Sequence, residues 1–228
     1  MSNPTRSDQE RIYKELFEKH KGTTMAVSSE SPAHKRLRFG RITDIVAADN
    51  DFTIHDVGMG LADMYPFLKE RFPEKRFVYS GTEILQEYVT ASVERFPDLV
   101  FHHRDIADQA FADRYDYVVM SGVFHQRRGS SIRDWEAFAQ NIIRNSFRMC
   151  RKGIAFNFIS PFVDFYQTQV YYSNLPKLIN FINDDLSRFF EIKHNYALFE
   201  FTVFVHTEEH VRSMYPEPEF AKYFKADR

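Results

Sequence analysis

Apolar side chains change their spacing twice along the chain. Ile12, Tyr13, Leu16 and Phe17 recur at helical i, i+3, i+4 intervals within Gln9 to His20, which predicts a short helix with one narrow apolar stripe. A stretch rich in Ser, Thr and Gly follows from Gly22 to Pro32, then a basic helix-like stretch from His34 to Val46. From Phe52 onward, short apolar runs predict strands at Phe52 to Val57, Arg76 to Ser80, Leu99 to His102, Tyr117 to Met120, Ile154 to Ile159, Phe190 to Tyr196 and Glu200 to His206. Helical patterns separate most of them. Asp63 to Arg71 has Asp63 as the expected cap and Pro66 in the first turn, where proline is tolerated. Leu85 to Phe96 places Val89, Val93 and Phe96 on one face, Ile132 to Cys150 places Trp135, Ala139, Ile142 and Ile143 inward, and Leu175 to Phe189 does the same with Leu178, Ile179, Ile182 and Leu186.

Strands alternating with helices of this length imply βαβ crossovers, hence an α/β fold: a doubly wound, mostly parallel seven-stranded sheet with helices on both faces. The last two strands are separated by only Ala197, Leu198 and Phe199, too little chain for a crossover, so they form a C-terminal antiparallel hairpin. This divides the chain into a helical cap or lid over residues 1–50, a ligand-binding domain over 51–210 and a tail over 211–228 packed on or beside it.

Composition narrows the function. Thirty Lys+Arg against 32 Asp+Glu give 228 residues a net charge of −2, which argues against the basic excess of a nucleic-acid binder. A single cysteine, Cys150, excludes an intrachain disulfide, and no Cys/His cluster offers a zinc site, so no metal is expected. With no apolar run of membrane-spanning length and a polar start to the chain, a cytoplasmic protein without membrane contact is expected. Aromatic residues reach 16%, which points to an aromatic-rich core or pocket.

In an open α/β sheet, ligands bind at the carboxyl ends of the strands. The first strand-to-helix junction reads Asp56-Val57-Gly58-Met59-Gly60-Leu61-Ala62, where two glycines let the backbone turn tightly and a ligand approach the main chain. Alone, this pattern also suits a plain tight turn. Glu83 raises its meaning: it ends the second strand about 20 residues further on, where a carboxylate accepts hydrogen bonds from ribose hydroxyls.

Asp56-Val57-Gly58-Met59-Gly60, Gly81-Thr82-Glu83-Ile84, Arg104-Asp105-Ile106 and Asp116 through His125 resemble, in order and interval, the successive motifs of class I S-adenosylmethionine-dependent methyltransferases. The terminal hairpin is similar to that family's last two strands, and the resemblance covers roughly Phe52 to His206 of a Rossmann-like domain. Gly153 to Ser160, Tyr171-Tyr172 and Tyr196 through Val203 resemble a bacterial subgroup of methyltransferases with no assigned acceptor.

The resemblance implies S-adenosylmethionine as cofactor. Gly58 and Gly60 would lie under its methionine part with Asp56 beneath, Glu83 would hold the ribose, Ile84 and Ile106 would flank the adenine, and Asp105 would accept from the exocyclic amine. Ser121, Gly122 and Val123 would line the path to the methyl group. Met59, where the family favours a small residue, and Ala62, in place of a third glycine, depart from the pattern.

His125, following the fourth strand, is the best-placed base, with a surface loop histidine as the plainer alternative. Phe124, Arg127, Tyr171, Tyr172 and Glu200 are the acceptor-side candidates. The expected reaction is methyl transfer to an oxygen or nitrogen of a small molecule by a monomer or homodimer. A nucleic-acid methyltransferase using His34 to Arg38 and Arg127-Arg128 as phosphate contacts, and a nicotinamide oxidoreductase, are the alternatives; against the first, Arg36 and Arg38 are expected on the cap helix, one of them meeting the cofactor carboxylate.

Overall fold

The computed structural model describes residues 31–224, together with Arg11, Lys14, Glu15, Glu18 and Lys19. The apolar stripe expected at Ile12, Tyr13, Leu16 and Phe17 lies outside the described residues.

Helix α1 (Pro32–Ile42) continues into a 3-10 turn (Thr43–Val46) and leads to β1 (Asp51–Val57). The chain then runs through α2 (Met64–Arg71), β2 (Arg76–Glu83), α3 (Gln86–Arg95), β3 (Val100–His103) and β4 (Tyr115–Met120). After α4 (Ile132–Met149) come β5 (Cys150–Ile159), α5 (Leu175–Phe181), β6 (Phe190–Lys193), β7 (Glu200–His206) and α6 (Glu208–Met214). The sheet order is β3-β2-β1-β4-β5-β7-β6, with β7 antiparallel to both β5 and β6 and the remaining pairs parallel. The order reverses between β1 and β4, so the crevice expected to hold ligand lies beyond the carboxyl ends of these two strands.

Strand alternation builds a core on each face. Val118, Met120, Ile154, Phe156, Phe158 and Val203 meet Trp135, Phe138, Ile142 and Ile143 of α4 and Leu178 of α5. Phe52, Ile54, Val119, Ala155 and Phe204 meet Phe39 and Ile42 of α1, Met64 and Leu68 of α2, and Val89 of α3. The four inward residues expected on α4 are all buried.

Three local expectations are corrected. Asp63 does not cap α2 through its side chain; its carboxylate instead pairs with Lys35 and Arg95, tying α1, α2 and α3 together. On α3, Val93 is 44% exposed, and the buried face is Tyr88, Val89 and Ser92. The helix expected to run to Phe189 ends as α-helix at Phe181 and widens into a π-turn over Ile182–Leu186. Among the described residues, no helix is long and apolar enough to cross a membrane.

Candidate active site

The loop after β1 has Gly58 at φ +72°, Gly60 at +55° and Ala62 at +55°. Gly58 is required twice over: its φ is left-handed, and a Cβ there would lie 2.7 Å from Val123 Cγ2. Ala62 adopts the same region at a cost of about 1 kcal/mol, which explains why a third glycine is the easier residue. Met59 is accommodated by Gly81 across the sheet, since a Cβ on Gly81 would stand 3.1 Å from Met59 Cβ and Cγ. The departure at Met59 is thus matched by a bare backbone opposite it.

Glu83, the last residue of β2, accepts from the amides of Gly60 (3.0 Å), Ile84 (2.7 Å) and Leu85 (3.4 Å). One carboxylate therefore holds the glycine loop against the start of α3, and Ser92 Oγ closes the same junction by donating to Gly60 O at 3.2 Å. Burial raises the Glu83 pKa, and the three amides oppose that shift. Beneath the loop, Asp56 Oδ2 accepts from the Tyr79 hydroxyl at 2.8 Å, while Oδ1 is buried and has no hydrogen-bond partner. Burial pushes the Asp56 pKa up to about 7, against the Tyr79 hydrogen bond and with help from the Glu83 charge.

After β3, Asp105 Oδ1 accepts from Ala107 N at 2.8 Å, and Ile106 is buried with its carbonyl fixed by Asn145. After β4, Gly122 turns at φ +75° and donates its N–H to Asn157 Oδ1 at 2.8 Å. That bond settles which way the Asn157 amide points, so Nδ2 is the donor. It donates to Glu200 Oε2 at 2.6 Å and to His125 Nε2 at 2.9 Å.

Glu200 in turn receives Arg38 of α1 on both oxygens, Nε at 2.9 Å to Oε2 and Nη2 to Oε1. Burial works against the Glu200 carboxylate, but His125, Arg38 and Asn157 together hold its pKa below the ordinary range. Burial drives His125 the other way, down to about 4, with Glu200 opposing and Arg38 assisting. The imidazole is neutral at pH 7. With Nε2 accepting from Asn157, its proton sits on Nδ1, 3.9 Å from Glu200 Oε1.

These elements meet in one cavity of about 210 Å³. Asp56, Gly58, Gly60, Glu83, Ile84, Asp105, Ile106, Ser121, Gly122, Val123 and His125 all line it, so the structure gathers every cofactor-side residue named from sequence. The acceptor-side candidates fare differently. Phe124 is fully buried, stacked on Phe158 at 5.0 Å, and Arg127 turns its Nη1 back to Ser130 O. Tyr171 is buried with its hydroxyl donating to Glu136, and Tyr172 braces a loop by accepting from Gln167 N. None of these four reaches the cavity wall; Glu200 acts on it through Arg38 and Asn157.

Sequence reasoning weighed Lys35 as a phosphate contact and put Arg36 and Arg38 on the cap helix with one of them toward the cofactor carboxylate; of these Lys35 and Arg38 line the cavity. It missed Phe39 beside them on α1 and Tyr88, Trp135 and Phe138, which add apolar wall. It also missed Asn157. The basic run that seemed suited to phosphate is internally neutralised: Lys35, Arg36 and Arg38 pair with Asp63, Glu70 and Glu200.

The residues fit an S-adenosylmethionine-sized nucleoside with a zwitterionic tail. Asp56 Oδ1 is an unpartnered buried acceptor suited to an ammonium, and Gly58 and Gly60 present bare backbone to the cavity.

No family model matches the chain. A Mycobacterium tuberculosis protein named "Putative methyltransferase Rv1506c" is 29% identical over 164 residues, covering 71% of this chain and 96% of that protein. Among solved structures, magnesium protoporphyrin IX methyltransferase (ChlM) from Synechocystis, with bound S-adenosylmethionine, is similar at TM-score 0.61 and 11% identity, covering 90% of this chain and 98% of that one. The N-methyltransferase NodS from Bradyrhizobium japonicum, in complex with S-adenosylhomocysteine, is similar at TM-score 0.60 and 10% identity, covering 86% and 97%. The chain has the class I S-adenosylmethionine-dependent methyltransferase fold, as its sheet order and terminal hairpin indicate.

Proposed function

We propose that this chain is a methyltransferase that moves the methyl group of S-adenosylmethionine to an oxygen or nitrogen of a small molecule. The observation that carries this reading is the single cavity at the β1/β4 switch point. Its wall unites the glycine loop, a ribose-height carboxylate and the Ser121–Val123 turn. The mycobacterial relative and the shared fold support the same class.

When bound, the cofactor supplies a methyl group already activated on a sulfonium; the protein has only to hold it, dry it and aim the acceptor. Glu83 would receive the ribose hydroxyls on the lone pairs its amide bonds leave free. Ile84 and Ile106 would flank the adenine, and Asp105 would accept from its amine. Asp56 Oδ1 would take the ammonium, and Arg38 Nη1, 3.6 Å from the Cβ position of Gly122, would take the carboxylate. In this reading α1 is the described part of the lid, held down by Lys35–Asp63 and Arg38–Glu200.

His125 is neutral at pH 7, as a base must be, but it can accept a proton at Nε2 only by giving up the Asn157 hydrogen bond. We therefore assign most of the rate to positioning, with His125 as the nearest acceptor of a proton. A reducing, cytoplasmic setting agrees with the lone buried Cys150. The test is mass spectrometry of small-molecule pools incubated with protein and S-adenosylmethionine. One compound should gain a single methyl group in step with S-adenosylhomocysteine formation, and failure to form any S-adenosylhomocysteine across such pools would count against the reading.

A further inference from the structure

Where the acceptor docks can be taken further, on the premise that the cavity serves methyl transfer. Most aromatic side chains around β5 are buried, Phe156 and Phe158 among them. The long connection from β5 to α5 does the opposite: Phe162 is 68% exposed, Phe165 59% and Tyr166 67%, and Phe199 from the β6–β7 connection is 48% exposed beside them. Phe165 meets Phe199 edge-on at 6.3 Å, and Phe162 lies 6.0 Å from the His194 ring.

This loop is held in shape by its own bonds, since Ser160 Oγ accepts from Phe162 N at 3.1 Å, Tyr166 OH donates to Pro161 O at 2.8 Å and Gln167 N donates to Tyr172 OH at 2.9 Å. Its rings are thus displayed in a fixed arrangement rather than folded away.

Position connects the rings to the cavity. Ile159, at the end of β5, pairs with Glu200 at the start of β7, and Ser160 N donates to Phe199 O at 2.9 Å, so both connections emerge at the carboxyl end of β5, the same end of the sheet as the β1/β4 crevice. The returning half of the loop pairs with the β4–α4 connection: Gln126 bridges Val170, and Tyr171 N donates to His125 O at 2.9 Å. His125 and Gln126 themselves line the cavity. A second exposed aromatic group, Tyr215 and Tyr223, follows β7 at the opposite end of the strands, where His206 pairs with Gly153.

We propose that Phe162, Phe165, Tyr166 and Phe199 form the acceptor platform of this methyltransferase, and that the acceptor is a small molecule presenting an uncharged ring face. Rings displayed by a preformed loop bind the C–H face of a sugar or the face of an aromatic ring by the same burial and stacking. Residues 160–169 carry one charged side chain, Asp164, so the platform supplies no cations for a phosphate backbone.

The test uses the full chain saturated with S-adenosylhomocysteine and saturation-transfer NMR with three probes: methyl β-glucopyranoside, 4-nitrophenol, and glycerol as a polar control without a ring. Binding of the cofactor product by calorimetry comes first; its absence would overturn the cofactor reading, not the platform itself. Phe162→Ser, Phe165→Ser and Phe199→Ser, combined, remove exposed rings and leave the core intact. Binding of one ring probe should fall about tenfold or more in this variant while S-adenosylhomocysteine affinity stays within about twofold. Glucoside binding would identify a sugar face, and nitrophenol binding an aromatic one. The proposal is overturned if neither ring probe binds better than glycerol, if the variant binds them as the parent does, or if light scattering shows that the substitutions split a dimer.

Discussion

Replacing Glu200 with leucine removes the anion that Arg38 grips on both oxygens and that Asn157 Nδ2 reaches at 2.6 Å. The Glu200 side chain is 5% exposed and that of Arg38 16%, so the stranded guanidinium recovers little water. Breaking a buried pair by deleting one partner costs about 3 to 5 kcal/mol. Because Arg38 borders the cavity, the lower end applies, and about 3 kcal/mol corresponds to roughly 6 to 12 °C in midpoint for a chain this long. Arg38→Met alone strands the carboxylate and should cost a similar amount. The Arg38→Met/Glu200→Leu pair leaves neither charge buried, so its loss should be about 2 kcal/mol smaller than the sum of the two single losses. Urea unfolding followed by circular dichroism on the four proteins measures this coupling directly. Additivity within about 0.5 kcal/mol would mean that the two side chains do not depend on each other, and that α1 is not latched to β7 by this pair.

Stability should also fall with acid. His55, hydrogen-bonded to Ser80 and Thr82, is pushed down to about 3 chiefly by burial, and His125 to about 4. The unfolded chain takes up protons near pH 6.5 while the folded one does not, so this stability is present above pH 6.5 and is lost as pH drops; at pH 5 each histidine accounts for about 2 kcal/mol. Urea titrations from pH 7.5 to 5 should show the loss, and His55→Gln should remove about half of it; an unchanged slope would refute the role of His55. Cofactor affinity should rise with pH through the Asp56 range, because the ammonium needs the ionised carboxylate. A pKa of about 7 gives roughly a tenfold gain from pH 6 to 8, which Asp56→Asn should abolish in calorimetry. Gly58→Ala puts a Cβ 2.7 Å from Val123 at φ +72°, and should cost about 2 kcal/mol in urea unfolding together with cofactor affinity.

The glycine-loop side of the cavity was legible because its signals are local. A glycine pair after a strand, a carboxylate at the end of the next strand and a turn after the fourth each declare themselves within a few residues, and Gly58, Glu83 and Gly122 stand where that reading put them. The α1 side of the cavity was less legible, because its geometry is set by pairing across the sheet. Ala155 faces the α1 side and Phe156 and Phe158 the α4 side, so Asn157 alternates toward α1; nothing near it in sequence announces Glu200 or Arg38, the last two lying 162 positions apart. Phe124 and Tyr171 were acceptor-side candidates by their place near loop residues, yet both are buried, with Trp135 of α4 bonded to the Phe124 carbonyl and Glu136 holding the Tyr171 hydroxyl. Val93 was misassigned because its polar neighbour Ser92 takes the inward position, donating to Gly60 O.

Calorimetric titration of S-adenosylhomocysteine into the protein and into Glu83→Ala tests the central claim most directly, with the oxidised nicotinamide dinucleotide as a parallel ligand. Binding should be clear in the parent, weaker by about 1.5 to 3 kcal/mol in the variant, and absent for the dinucleotide. Equal binding by parent and variant, or preference for the dinucleotide, would contradict the account.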